Sequence, residues 1–183
     1  MEIKQVKGKS GIEYNFVKIG KAYLSDMPLR KKNGSIPIFN GKELDDWRLK
    51  LEFLVNDKIL DAEQSCYLIC DDEQIKYIGY YSTSFKDRWW KKDGYFWHGE
   101  IVDKNVNDLL RKNPNKNITI WLSIEPYAYT KKGDVINISK YIEDDIIMTF
   151  DNKLIWNTVG KNLQKDKDNT ESVTKILNIK EEE

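Results

Sequence analysis

Five side chains stand out for the chemistry they could do together. Tyr67 and Tyr77 lie ten positions apart in two short apolar runs, Arg88 follows Gly79 by nine, and Asn157 follows Glu143 by fourteen. A phenol can accept or relay the proton of an attacking water. A guanidinium can clamp a phosphate and stabilise the charge that grows on it. A carboxylate can hold a divalent cation that acts as a Lewis acid. Each residue also has a plainer duty: tyrosines suit strands, and an asparagine before a turn usually serves the turn.

The elements around these residues decide whether they meet. Cys66-Tyr67-Leu68-Ile69-Cys70 and Ile75-Lys76-Tyr77-Ile78-Gly79 read as two strands joined by the polar turn Asp71-Asp72-Glu73, a hairpin that brings the phenols together. Ser82-Thr83-Ser84 can cap a helix starting near Phe85, which sets Arg88 close to a helix N-terminal end, where backbone N–H groups favour an anion. Ile118-Thr119-Ile120-Trp121-Leu122-Ser123-Ile124 alternates as a half-buried strand does, and Ser139 caps a helix running to about Phe150. On that helix Ile142, Ile146, Ile147 and Phe150 span one arc that includes Glu143, with Asp144 and Asp145 on the opposite side. A carboxylate on a core face is costly unless a cation or donors satisfy it. A bound metal is one answer and a lysine partner is another.

The rest of the chain bounds the setting. At 183 residues and 40% hydrophobic it is long enough for one domain with elaborations. No apolar run approaches the ~18 residues of a membrane span, and Met-Glu-Ile-Lys at the start has no apolar leader core, so the cytoplasm is the expected location. Cys66 and Cys70, with one histidine in the chain, read as buried thiols and not as a zinc site. A net charge of zero argues against coating nucleic acid by bulk electrostatics, but two basic clusters could neutralise phosphates locally. One is the loop with Arg30, Lys31 and Lys32; the other is Lys86, Arg88, Lys91 and Lys92, interleaved with Trp89 and Trp90. Strands are expected at 14–19 and 36–39. A helix is expected from the N-cap Asn40, with Glu43 three residues on and Leu44, Trp47, Leu51, Leu54 and Val55 at helical spacing. A weaker helix covers about 100–112, and the charged end of the chain reads as a mobile tail.

In their order and spacing, the hairpin tyrosines, the arginine, the glutamate and the asparagine resemble the GIY-YIG nuclease family over roughly residues 65–160. Tyr77-Ile78-Gly79 is the literal second element, while Ser65-Cys66-Tyr67 stands where Gly-Ile-Tyr is usual. Arg88 lies one position further from the glycine than in the simplest members. Lys92 occupies the place where many carry a histidine or tyrosine, and Tyr95 and His98 are near but out of register, possible auxiliary groups.

The resemblance implies an α+β fold, a small three-stranded antiparallel sheet flanked by helices. It divides the chain into an N-terminal strand and helix elaboration at 1–62, a nuclease-like core at 63–162 and a tail at 163–183. It implies metal-dependent hydrolysis of DNA phosphodiesters, in restriction, defence or phage degradation of host DNA. Tyr67 would act as general base or position the water with help from Tyr77. Arg88 would clamp the phosphate, Glu143 would bind one Mg²⁺ or Mn²⁺, and Asn157 would order the site. Arg30, Lys31, Lys32, Lys86, Lys91, Lys92 and Trp89 would meet double-stranded DNA, and a homodimer would suit a palindromic site. Two other readings stay open: a catalytically inactive DNA-binding module with Trp89, Trp90 and Trp97 stacking on bases, and a protein-interaction factor working through a Tyr/Trp patch.

Overall fold

The computed structural model describes residues 1–28, 30–31, 33–36, 38–39, 41–43, 47–89, 95–96, 101–150 and 156–157. Lys32, Lys91, Lys92, His98 and the expected tail at 163–183 lie outside the described residues.

In chain order the elements are β1 (Ile3–Lys7), β2 (Glu13–Pro28), the small pair β3 (Ile38–Phe39) and β4 (Lys42–Glu43), β5 (Trp47–Phe53) and the single turn α1 (Asp57–Leu60). The hairpin β6 (Glu63–Asp71) and β7 (Gln74–Ser84) follows, then α2 (Phe85–Trp89), β8 (Tyr95–Phe96) and α3 (Ile101–Lys112). The described chain continues with β9 (Ile118–Ser123), a second hairpin of β10 (Tyr127–Tyr129) and β11 (Val135–Asn137), and α4 (Ser139–Thr149).

A seven-stranded antiparallel sheet holds these together, in the order β7-β6-β9-β2-β5-β8 with β1 also on β2. The three strands anticipated from the sequence are neighbours at one side of it. The sheet does not stop there, so the expected small three-stranded sheet flanked by helices is overturned: the fold is built mainly on one wide antiparallel sheet. The cause is β2. Its sixteen residues pair with β1, β5 and β9, and Gly20 sits opposite both Phe53 and Ile120. A Cβ there would come within 2.7 Å of the Glu52 carbonyl oxygen, so only glycine fits between the two neighbours. Segment 1–62 therefore supplies strands to the same sheet that carries the hairpin tyrosines.

The expected helix over 40–55 is also overturned. Asn40 and Leu44 lie outside the described residues, Glu43 is in β4, and Trp47–Phe53 is a strand. The same residues carry a second period. Leu49 and Leu51 are buried and alternate with Arg48, Lys50 and Glu52, and antiparallel pairing with Leu24, Ala22 and Gly20 selects that alternation. β9 differs from expectation too: it is buried on both faces, not one. Ile118, Ile120 and Leu122 enter one core, Trp121 enters the other, and its indole Nε1 donates to the buried Thr119 hydroxyl at 2.8 Å.

Each face of the sheet has its own core. One gathers Tyr67, Tyr81, Phe85, Trp89, Leu60, Val106 and Leu110, from the sheet and from α1, α2 and α3. The other gathers Phe16, Cys66, Leu68, Cys70, Ile78, Ile142 and Ile146, covered by α4. Full burial of each large aliphatic or aromatic side chain stabilises by ~1.5–3 kcal/mol, so these faces fix the register of the hairpin. Cys66 and Cys70 are free and buried; burial pushes the Cys66 thiol far up and that of Cys70 to about 12. Among the described residues no helix is long and apolar enough to cross a membrane.

Candidate active site

The β6–β7 turn is short because Asp72 adopts a left-handed backbone, φ 51°, which lets Asp71 pair directly with Gln74. The resulting register sets Tyr67 opposite Gly79 and Ile69 opposite Tyr77. The two phenol rings lie 5.9 Å apart between centroids. Gly79 makes this possible: a Cβ at that position would fall 2.6 Å from the Tyr67 hydroxyl oxygen and 2.9 Å from the Tyr77 ring. Tyr67 is 1% exposed, with Tyr81 stacked at 6.2 Å and Trp89 edge-on at 5.0 Å.

Burial pushes Tyr67 well above the ordinary phenol range, and the nearby Tyr77 phenol adds to the effect, though the Tyr67 hydroxyl has no hydrogen-bond partner among the described residues. Tyr77 is partly buried and is raised for the same first reason. Arg88 pulls both phenols, and Glu143, the other way, while the Glu143 charge pushes both phenols up. The hairpin, α2 and α4 thus deliver two tyrosines, a guanidinium and a carboxylate within electrostatic reach of one another.

Glu143 sits near the start of α4 with 12% of its side chain exposed. Loss of water raises its carboxyl above the usual range, and Lys140, whose Nζ is 2.8 Å from Oε2, offsets part of that rise. Lys140 also meets Asp144 Oδ1 at 2.7 Å and lies 5.5 Å above the Tyr80 ring. Asn157 is buried and locks the middle of the Tyr-Ile-Gly element. Its Nδ2 donates to the Ile78 carbonyl at 2.7 Å and its Oδ1 accepts from the Ile78 N–H at 3.1 Å. The side chain therefore mimics a neighbouring strand at this edge of the sheet.

The other expected residues divide. Arg88 is exposed at the end of a single-turn helix whose Asp87 N–H bonds the Ser84 hydroxyl, so it stands in the last turn and not at a helix start. Trp89 is inside the core, where no base can stack on it, because α2 turns that side of the helix toward Tyr67 and Phe85. Lys86 is held between Asp57 at 3.2 Å and Asp61 at 3.0 Å, which ties α2 to α1 and neutralises the charge offered to a phosphate. Arg30 and Lys31 flank a turn closed by the Lys31 N–H on the Ser35 carbonyl, and Lys31 is exposed. Of Tyr95, only the strand backbone beside Lys50 is described.

Sequence reasoning missed two residues on α4. Lys140 was legible from its spacing of three and four to Glu143 and Asp144. Asp145, expected on the outer side, is 2% exposed and accepts from the Ser10 N–H at 2.8 Å, the Ser10 hydroxyl at 2.7 Å and the Tyr14 hydroxyl at 2.7 Å. It borders Ile142 on the other edge of the apolar stripe, and nothing local shows that donors from the β1–β2 turn await it. Ser139 does not cap α4 with its side chain; its hydroxyl donates to the Gln64 carbonyl at 2.8 Å instead.

No family model, curated protein or solved structure matches the chain.

Proposed function

We propose that this chain is a metal-dependent DNA endonuclease of the GIY-YIG kind, hydrolysing phosphodiester bonds. The observation that carries the reading is the pairing of the Tyr67 and Tyr77 rings at 5.9 Å, with the charges of Arg88 and Glu143 near enough to act on both phenols and Asn157 clamping the strand that carries Tyr77.

The residues suit a single hard cation with few protein ligands. Glu143 is largely desolvated, only Oε2 accepts a hydrogen bond among the described residues, and the carboxyl is pushed toward protonation, a strain that a divalent charge relieves. Mg²⁺ or Mn²⁺ held there would supply Lewis-acid stabilisation of the phosphate. Arg88, exposed and near enough for its charge to lower both phenols, would clamp the anion. Tyr67 is protonated at neutral pH and its hydroxyl is closed off from solvent, so it acts on the site through the neighbouring Tyr77 phenol. The less buried Tyr77 is the phenol through which a proton can leave. The substrate is double-stranded DNA, and a homodimer would cut both strands of a palindrome.

The test is incubation of supercoiled plasmid with the purified protein in MgCl₂ or EDTA, beside Arg88→Ala and Glu143→Ala. Nicking or linearisation is expected only for the wild type with metal. Undiminished cleavage by both variants removes the reading. The ion pair of Glu143 with Lys140 favours one alternative, a DNA-binding module without chemistry, because the carboxylate already has a cation. Salt-sensitive DNA binding without scission in Mg²⁺ or Mn²⁺ would establish that alternative.

A further inference from the structure

The hairpin β10–β11 belongs to neither core. Among the described residues its strands pair only with each other, Tyr127 opposite Asn137, Ala128 opposite Ile136 and Tyr129 opposite Val135. A two-stranded ribbon is marginal in water by itself, yet this one exposes Tyr129 at 76%, Val135 at 59% and Tyr127 at 49%. Its base is fastened: Asn137 Nδ2 donates to the Gln64 carbonyl at 2.7 Å, and the Ile138 N–H to the Pro126 carbonyl at 2.8 Å. Its tip carries Lys131 and Lys132, both exposed. The tip carboxylate Asp134 accepts from the Thr130 hydroxyl at 3.2 Å.

The ribbon is also well placed. It is the connection between β9 and α4, so its far strand leads into the helix that carries Glu143. At its base Tyr127 lies close enough to Tyr81 to affect its titration, and Tyr81 stacks on Tyr67.

We propose that the β10–β11 ribbon is the arm that grips duplex DNA beside the cleavage site, with Lys131 and Lys132 on phosphates and Tyr129 and Tyr127 against the groove. A polyanion is the occupant because the tip is basic, and the form is right because the major groove admits a two-stranded ribbon. This rests on the nuclease reading for the position of the cut, but its test does not.

Binding is measured by fluorescence anisotropy on a short labelled duplex in EDTA, across a salt series, for the wild type, Lys131→Ala/Lys132→Ala and Tyr129→Ala. All three altered side chains are exposed, and circular dichroism checks that the variants fold. The lysine pair is expected to weaken binding by about tenfold or more and to reduce the salt slope by about two. Tyr129→Ala should weaken binding with the slope unchanged. Wild-type affinity in both variants overturns the proposal even if the wild type cleaves plasmid. Lost binding in the variants supports it even if no cleavage is ever seen, in which case the nuclease reading alone fails. No duplex binding by the wild type overturns it, and so does a monomer–dimer equilibrium that Tyr129→Ala abolishes while DNA binding stays intact, since the occupant would then be a second copy.

Discussion

Glu143 and Asp145 stand two residues apart on the same helix, in opposite circumstances. Asp145 is the more deeply buried, yet three neutral donors surround its oxygens, and the backbone of Gly8 packs so closely that a Cβ there would meet Oδ2 at 1.8 Å. Its charge is solvated by the fold, and its work is to fasten α4 to the β1–β2 turn. Among the described residues Glu143 has a single cationic partner, on one oxygen, and its charge acts on the Tyr67 and Tyr77 phenols. The fold leaves its charge incompletely satisfied. Burial alone does not mark a functional carboxylate; the distinction lies in whether the protein itself completes the coordination.

That contrast can be broken most forcefully at Asp145. Asp145→Ala removes three hydrogen bonds to a carboxylate and strands the buried Tyr14 hydroxyl, a loss of about 3 kcal/mol or more in urea unfolding. A loss under ~0.5 kcal/mol would show that α4 is not fastened there. Gly79→Ala comes next. The added methyl must displace the Tyr67 phenol, which is packed on several sides, so we expect ~1–3 kcal/mol of destabilisation together with loss of cleavage. Retention of full cleavage would mean that the phenol pair does not need its observed spacing.

The smallest effect is in the pH profile. Lys140 lowers the Glu143 carboxyl, so Lys140→Met should raise it further. The ionised form is the one that binds metal, and the acid limb of the cleavage profile should then move to higher pH. A limb that stays in place, or moves to lower pH, would disconnect Lys140 from Glu143.

What could be read in the chain depended on range. The hairpin, the short helix after it, β9 and α4 announce themselves within a few residues through alternation, a capping signal or a helical stripe, and these elements carry four of the five expected site residues, with Asn157 lying past the end of α4. The width of the sheet does not announce itself. It depends on a sixteen-residue strand finding partners that are distant in sequence, and the Leu44–Val55 segment carried both a helical and an alternating period until β2 chose between them. Asp145 and Trp89 were misjudged for the same reason. A polar or aromatic side chain at a helix border goes inward or outward according to what another segment presents, and Ser10, Tyr14 and Tyr67 are remote from both. The β10–β11 ribbon gave little signal, since three-residue strands are too short for periodicity.

The most direct measurement is on Glu143→Gln, with thermal unfolding and plasmid cleavage read on the same preparation. Because the folded carboxyl is raised, ionising Glu143 costs stability at neutral pH, and that cost is absent below the ordinary carboxylate range. The amide removes the charge and keeps the shape. The account predicts a melting temperature equal to or above the wild type at pH 7, with Mg²⁺-dependent cleavage lost. A clear fall in melting temperature with cleavage unchanged would contradict it and make Glu143, like Asp145, a structural carboxylate.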